Sequence, residues 1–240
     1  VVSWAAAELA KKRDKPFFQA VGIFRPHIPW YAPEKYFELY PEKDVFLPKI
    51  KDGDLDDVPP AGHRSLRKGW HRWVKENDEW RAAVRGYLAS ISFADAQVGR
   101  LLDALDASPH AKNTIVVLWS DHGFHLGEKQ HWEKFALWEK STRCPLIVVA
   151  PGKAVPGGRC EQPVSLLDIY PTLIELCGLP KRKELEGTSL LPQLRDVQAE
   201  RKRPVLTTWG RGNHAIRSSK WRFISYADGS SERYSAAAGP

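Results

Sequence analysis

The sequence predicts an α/β fold in which buried strands alternate with helices. Three apolar runs have the length and continuity of buried strands, at residues 16–24, 114–119 and 145–150. Strands of this kind, alternating with helices, are typical of a mostly parallel sheet covered by helices on both faces. Residues 201–240 differ, because their short strand-like segments predict a small antiparallel sheet.

Spacing and capping residues predict the helices and one long loop. Residues 4–13 and 165–178 favour helices, and Gly178 is a typical residue to end the second of them. Residues 30–62 are rich in Pro, Asp and Gly and predict a long surface loop. Residues 76–106 favour a long helix. Its largely apolar face is formed by Leu88, Ile91, Asp95, Val98, Leu102 and Leu105.

The last part of the chain has the pattern of short paired strands. Asp228 and Gly229 form a turn pair between two of these strands. We therefore predict a main α/β domain over residues 1–200 and a small antiparallel subdomain over residues 201–240. The predicted strands are residues 204–209, 213–218, 221–226 and a further one that starts at Glu232.

Composition excludes several classes of protein. No apolar run is long enough to span a membrane, and no nucleic-acid motif occurs. Three cysteines without metal-binding spacing argue against a zinc site and a disulfide framework. The net charge of +7 indicates a polyanionic partner, such as a sulfated glycan, or only a solvated basic surface. The basic clusters are residues 63–72, 181–183, 201–203 and 217–222.

The chain contains no methionine, not even at position 1. It also lacks a secretory signal pattern at its start, and residues 234–240 have no pattern of a closing element. We therefore expect it to be a fragment, or a mature chain cut from a precursor.

Asp121 and His122 directly follow the apolar run at residues 114–119. Neighbours on an extended strand point to opposite faces, so these two share a ligand only where the chain turns, which Gly123 permits. Carboxylate oxygens favour Ca²⁺ or Mg²⁺, and the adjacent His leaves Mn²⁺ or Zn²⁺ open. The alternative is an Asp that caps a helix beside a surface His.

The surroundings of this pair favour the hydrolysis of a charged ester. Lys134 lies near Trp132 and Trp138, whose rings exclude water and strengthen a contact with an anion. His27 follows a separate predicted strand, between two prolines. A cation and Lys134 would neutralise an oxyanion, and His27 would protonate the departing alkoxide. For His27 alone, a packed loop histidine is an equal alternative.

Several motifs, in consistent order along nearly the whole chain, resemble the type I sulfatases, and in particular the iduronate-2-sulfatase-like subgroup. They are PHIPW at 26–30, YLASISFADAQVGR at 87–100, SDHGFHLGE at 120–128, WEK at 132–134, CPLI at 144–147 and NHAIR at 213–217.

This resemblance implies an alkaline-phosphatase-like α/β fold and the hydrolysis of sulfate esters with Ca²⁺ and a formylglycine nucleophile. Asp121 and His122 match the second pair of metal ligands. Lys134 matches the lysine that contacts the sulfate oxygens, and His27 matches a candidate general acid near the leaving oxygen. His125 lies where substrate-side residues occur in the family, and a structural role for it is equally open.

Two elements of the family are missing from this sequence. The nucleophile motif, Cys/Ser-x-Pro-x-Arg, does not occur, and Cys144 is followed directly by Pro145. The first metal-binding Asp pair is also missing, since Asp56 and Asp57 lie in the polar loop after His27. We therefore expect a C-terminal portion of a sulfatase that is inactive alone, its formylglycine lying in a preceding part.

Two other functions stay open. One is a different enzyme of the same superfamily, such as a phosphodiesterase or phosphonate hydrolase, because phosphate and sulfate esters share tetrahedral oxyanion geometry. The other is a non-catalytic module that binds sulfated glycans through its basic surface. The resemblance itself implies a sulfated sugar as substrate. It also implies a periplasmic or secreted location for a bacterial protein, or a lysosomal one for an animal protein.

Overall fold

The structure of this chain is a computed structural model that describes residues 1–235. The chain forms two compact units. The first comprises Val1–Lys49 and Gly69–Thr114, and the second comprises Ile50–Lys68 and the described residues from Ile115 onwards. The boundary between residues 200 and 201 stays a prediction. Residues 236–240, in the segment predicted to lack a closing element, lie outside the described part.

The elements of the described residues are mostly short. The α-helices are α1 (Val2–Leu9), α2 (Glu34–Glu38), α3 (Pro60–His63), α4 (Lys68–Glu76), α5 (Trp80–Asp106), α6 (Glu139–Thr142), α7 (Ile169–Leu176) and α8 (Leu191–Arg195). The 3₁₀ turns are Glu42–Asp44, Glu128–Gln130 and Leu166–Asp168. The strands are β1 (Val116–Trp119), β2 (His125–Leu126), β3 (Trp132–Glu133), β4 (Leu146–Val149), β5 (Val205–Thr208), β6 (His214–Arg217), β7 (Trp221–Ser225) and β8 (Ser231–Ser235). None of these helices combines the length and apolarity that a membrane span requires.

The first unit is built on α5, whose helical periodicity was predicted correctly. Its predicted start at residue 76 falls in α4 instead, because Asp78 has a positive φ of 54° that separates the two helices. The helix predicted over residues 4–13 is present as α1, which ends at Leu9 just before a run of charged residues. The predicted loop over residues 30–62 is mostly irregular but contains α2, α3 and one 3₁₀ turn.

The strand predicted at residues 16–24 is not a strand in the structure. The segment has no regular secondary structure, and no strand of the described chain pairs with it. The side chains of Phe18 and Phe24 are 82% and 65% exposed. An apolar run becomes a strand only when a neighbour satisfies its backbone hydrogen bonds, so composition alone was insufficient here.

In the second unit, β1 and β4 occupy the positions predicted for two of the buried strands. They pair antiparallel, with Val116 opposite Val149 and Trp119 opposite Leu146. The expectation of mainly parallel pairing therefore does not hold among the described strands. The reason is the connection: residues 120–145 bring the chain back to the end of β1 at which it left, rather than crossing to the other end.

The C-terminal antiparallel sheet was predicted correctly, with the strand order β5-β6-β7-β8. Alternation along its strands buries Ala215, Arg222, Ile224 and Glu232. Residues of this sheet form one apolar cluster with the segment that follows Lys134. The buried members of the cluster are Leu55, Val58, Ala61, Ala136, Leu137, Trp138, Ala215, Ile224 and Tyr226.

The helix predicted at residues 165–178 is present as a 3₁₀ turn that leads into α7. Ser165 and Asp168 cap it reciprocally, since the Ser165 N–H donates to Asp168 Oδ2 at 2.8 Å and the Leu167 N–H donates to Ser165 Oγ at 3.2 Å. Gly178 has a φ of 66° and follows its end, as its sequence position predicted.

Candidate active site

Asp121 and His122 lie in the turn after β1, and their side chains face each other. The Nε2 atom of His122 is 3.7 Å from Oδ1 of Asp121. The Nδ1 atom of His122 donates to the Gly123 carbonyl at 2.7 Å, and the other ring nitrogen, Nε2, is on the Asp121 side. In metal-ligating histidines, the ring nitrogen that does not bind the metal typically donates its N–H to a backbone carbonyl or a carboxylate, as Nδ1 of His122 does here.

Gly123 is required here because the backbone of α6 approaches it closely. Its N–H donates to the Ser141 carbonyl at 2.7 Å. A Cβ atom at this position would lie 2.0 Å from the Lys140 carbonyl oxygen and 2.6 Å from that of Arg143. From the sequence, this glycine was predicted to permit a turn. Its contact with α6 is the stronger constraint, and it holds the Asp121–His122 turn in place.

The residues present fit one side of a cation site. Asp121 supplies a carboxylate whose side chain is 82% exposed, and His122 supplies an imidazole nitrogen. Ca²⁺ takes about six to eight ligands, so two side chains are an incomplete set. No group of three or more His, Cys, Asp and Glu side chains in the described chain is placed to hold a metal ion.

Lys134 follows β3 in a strained segment. Glu133 and Phe135, on either side of it, have positive φ values of 71° and 63°, and Lys129 and Gln130 have 53° and 52°. Each such conformation costs on the order of 1 kcal/mol for a residue other than glycine. Strain of this kind persists only where surrounding contacts determine the backbone, and it concentrates at functional sites.

His131, three residues before Lys134, is completely buried and both of its ring nitrogens are bonded. Its Nδ1 accepts the backbone N–H of Arg67 at 3.1 Å, and its Nε2 donates to the Lys134 carbonyl at 2.6 Å. Burial lowers the pKa of His131, and the charge of Arg67 adds to this. The ring is therefore neutral, with its proton on Nε2. His131 was not predicted from the sequence. Its position three residues before Lys134 is the one signal that could have identified it.

His125 is 1% exposed and packs edge-on against His131, with ring centroids 4.9 Å apart. Its Nδ1 lies 3.0 Å from Ser141 Oγ, and its ring donates a hydrogen bond to the Glu133 backbone. Burial, followed by the neighbouring His131, lowers the pKa of His125 to about 3. Contact of His125 with substrate stays a prediction, and its burial favours the structural alternative.

Asp121, His122 and Lys134 line one cavity of about 1310 Å³ within the second unit. Three of the predicted site residues thus line the same cavity, whereas His125 is not among its lining residues. His27 lies in the first unit. There its Nδ1 donates to the Ile28 carbonyl at 2.6 Å, and the Phe24 ring lies 4.7 Å from the imidazole.

Arginine side chains from the C-terminal sheet also line this cavity. Arg222 donates to Glu139 Oε2 from Nη2 at 2.6 Å and from Nε at 3.0 Å, and Arg217 donates to the same oxygen at 3.2 Å. Burial raises the pKa of Glu139, but the two guanidinium groups outweigh this and hold it below its ordinary value. The predicted basic cluster at residues 217–222 is therefore partly a buried ion network, since Arg222 is 6% exposed.

Comparison with known proteins places this architecture in one family. The model of the family described as "Sulfatase" matches residues 1–179. A sulfatase of Formosa agariphila is 41% identical over 242 residues, covering 100% of this chain and 48% of that protein. Human iduronate 2-sulfatase is 32% identical over 211 residues, covering 72% of this chain and 38% of that protein. The chain thus spans less than half the length of these relatives.

Solved structures show the same fold. The putative sulfatase yidJ of Bacteroides fragilis superposes with a TM-score of 0.80 at 23% identity, over 100% of this chain and 52% of that one. A phosphonate monoester hydrolase of Silicibacter pomeroyi superposes with a TM-score of 0.76 at 21% identity, over 90% of this chain and 49% of that one. The fold is the alkaline-phosphatase-like α/β fold, as the resemblance implied.

This chain belongs to the sulfatase family. Its sulfatase relatives include iduronate 2-sulfatases, in agreement with the subgroup that the motifs indicated. Members of the family generally use Ca²⁺ and a formylglycine.

Proposed function

We propose that this chain carries part of the active site of a sulfatase, an enzyme that hydrolyses sulfate esters. The observation that supports this most directly is the facing pair of Asp121 Oδ1 and His122 Nε2, 3.7 Å apart, on the same cavity as Lys134. A half-complete cation site on the same cavity as a lysine suits an anionic ester whose charge must be neutralised as the bond to oxygen breaks.

Each residue has a role in this proposal. Asp121 and His122 would hold a Ca²⁺ ion, which would supply positive charge to neutralise the anionic ester. Lys134 places its ammonium group against the sulfate oxygens. His27, oriented through Nδ1 by the Ile28 carbonyl, protonates the leaving oxygen through Nε2. The formylglycine nucleophile and the remaining cation ligands come from outside these 240 residues, whose sequence has no Cys/Ser-x-Pro-x-Arg motif.

The proposed substrate is a sulfated sugar or glycan. One of the relatives is an iduronate 2-sulfatase, and the net charge of +7 suits a polyanionic carbohydrate. We infer an exported location, periplasmic or secreted, or lysosomal in an animal. This is the location that the family resemblance implied.

The test is turnover by the full-length protein, produced together with the enzyme that forms formylglycine. Release of inorganic sulfate from sulfated monosaccharides and an aryl sulfate is measured for the wild type, Asp121→Ala and Lys134→Ala. We expect each variant to lose about 100-fold or more in kcat/KM, because each removes charge stabilisation of the reacting group. Asp103→Ala and Lys112→Ala, at exposed positions, are the matched controls. Equal turnover by Asp121→Ala and Asp103→Ala would contradict the proposal.

The fold of the phosphonate monoester hydrolase supports one rival function. The same preparation is therefore assayed with a phosphonate monoester and a phosphodiester. A kcat/KM higher for these than for every sulfate ester would assign the site to phosphoryl chemistry. A protein without turnover, whose binding to a sulfated glycan survives Asp121→Ala and weakens steeply with salt, would be the non-catalytic module instead.

A further inference from the structure

The backbone around Lys134 is held in place by its surroundings rather than by its own preference. Residues on both sides of Lys134 adopt positive φ values, and none of them is a glycine. Isolated from its contacts, this segment would relax to the ordinary regions of the backbone map. Some group must therefore hold its peptide planes in this arrangement.

His131 is placed to hold the Lys134 carbonyl. Its Nε2 donates to the carbonyl oxygen of Lys134 itself, between the strained residues Glu133 and Phe135. Its Nδ1 is anchored on the Arg67 N–H, which comes from a segment 64 residues away in sequence. The backbone N–H can only donate and the carbonyl can only accept, so a single ring tautomer satisfies both bonds.

The neighbours of His131 leave its ring little freedom. The His125 ring packs edge-on at 4.9 Å and the Trp138 ring at 5.9 Å. Trp138 is itself fixed, because its Nε1 donates to the buried Glu232 carboxylate at 2.9 Å. A ring held on several sides transmits its position to the carbonyl that it binds.

We propose that His131 is a positioning residue for Lys134: its Nε2–H bond to the Lys134 carbonyl fixes the strained peptide and so aims the lysine side chain at the sulfate group. The direction of a side chain follows from its own backbone, so a fixed Lys134 carbonyl also fixes the direction of its Cα–Cβ bond. The claim that Lys134 contacts a sulfate group rests on the proposed function. The claim that His131 holds the backbone around Lys134 does not.

Two substitutions separate the two hydrogen bonds of His131. In His131→Asn, the amide oxygen replaces Nδ1 as acceptor for the Arg67 N–H, but the side chain is too short to reach Lys134. In His131→Gln, the amide nitrogen replaces Nε2 as donor to the Lys134 carbonyl, and the Arg67 bond is lost. Each variant loses one buried hydrogen bond, so they form a matched pair with similar structural damage.

The full-length variants are compared by crystal structure, by affinity for inorganic sulfate and by kcat/KM for a sulfate ester. We expect His131→Gln to keep positive φ at Glu133 and Phe135 and to stay within about threefold of the wild type. His131→Asn is expected to relax this backbone and to lose about tenfold or more in both sulfate affinity and kcat/KM. Equal losses in the two variants, with the backbone unchanged in both, would overturn the proposal.

If His131→Asn alone does not fold, the comparison moves to the Phe135→Gly background, because glycine accepts a positive φ without strain. In that background the φ of Glu133 is the readout, since the φ of residue 135 no longer depends on His131. Lys134→Ala serves as the reference for function. If that substitution leaves sulfate affinity and turnover unchanged, the proposed function fails. The φ values of Glu133 and Phe135 in the crystal structures of the His131 variants then show whether His131 holds the backbone around Lys134.

Discussion

The Nε2 atom of His122 lies 3.7 Å from Oδ1 of Asp121, while Nδ1 of the same ring is held by the Gly123 carbonyl at 2.7 Å. Two adjacent residues thus present one nitrogen and one oxygen to the same space. If this pair forms half of a cation site, its loss must weaken cation binding itself, and not only turnover.

Substitution of Asp121 by Asn is expected to weaken Ca²⁺ binding by the full-length protein about 10- to 100-fold, because it removes a charged ligand with little change of shape. Isothermal titration calorimetry with Ca²⁺ measures this. Asp103→Asn, at an exposed position in α5, is the control and should bind Ca²⁺ as the wild type does. Unchanged affinity in Asp121→Asn would remove Asp121 from the site.

Gly123→Ala is expected to destabilise the protein by about 3 kcal/mol or more, because the new Cβ would overlap the Lys140 carbonyl oxygen. The free energy of unfolding in urea measures the effect. Gly99→Ala is the matched control, since Gly99 lies within α5 and a Cβ there would meet no atom within 4 Å beyond its chain neighbours and the backbone of its own helix. This control should stabilise the protein by about 0.5–1 kcal/mol. A similar change in the free energy of unfolding in both variants would contradict the close packing at Gly123.

Arg222→Met is expected to cost about 2–3 kcal/mol of stability, because it leaves the partly buried Glu139 without its main partner. The double variant Arg222→Met/Glu139→Gln should recover part of this loss, since the uncompensated charge is gone. Arg182→Met breaks an exposed pair with Glu184 and should change stability by less than about 1 kcal/mol. The free energy of unfolding in urea measures these effects. If the loss in the double variant equals the sum of the losses in the two single variants, Arg222 and Glu139 are not coupled.

Acid should destabilise the protein through His125. Its pKa is about 3 in the folded chain and near 6.5 in the unfolded chain. Between these values the unfolded chain binds a proton that the folded chain does not. Stability is therefore highest above about pH 6.5 and falls as the pH decreases through this window, by up to ~1.4 kcal/mol per pH unit.

The lowered pKa of His131 has the same sign and adds to this slope. Urea unfolding between pH 7 and pH 4 compares the wild type with His125→Asn, which cannot take up the proton. The variant should be less stable at pH 7 and should lose less stability on acidification. Equal slopes in the two proteins would show that His125 does not exclude a proton when folded.

Local sequence patterns were sufficient for much of the fold. The periodicity of α5 and the alternation in the C-terminal strands depend on neighbours three to four or two positions away, so they can be seen in the chain itself. The adjacency of Asp121 and His122 is likewise a property of the sequence, and with the following Gly123 it indicated half of a cation site.

Pairing and positioning were decided by tertiary structure. The apolar run at residues 16–24 has no strand partner in the described chain, and β1 pairs antiparallel with β4 because of the path of residues 120–145. His131 binds the Arg67 N–H across 64 residues, and Arg222 reaches Glu139 across 83. No local pattern contains such contacts, because burial and hydrogen bonding between distant segments exist only once the chain has folded.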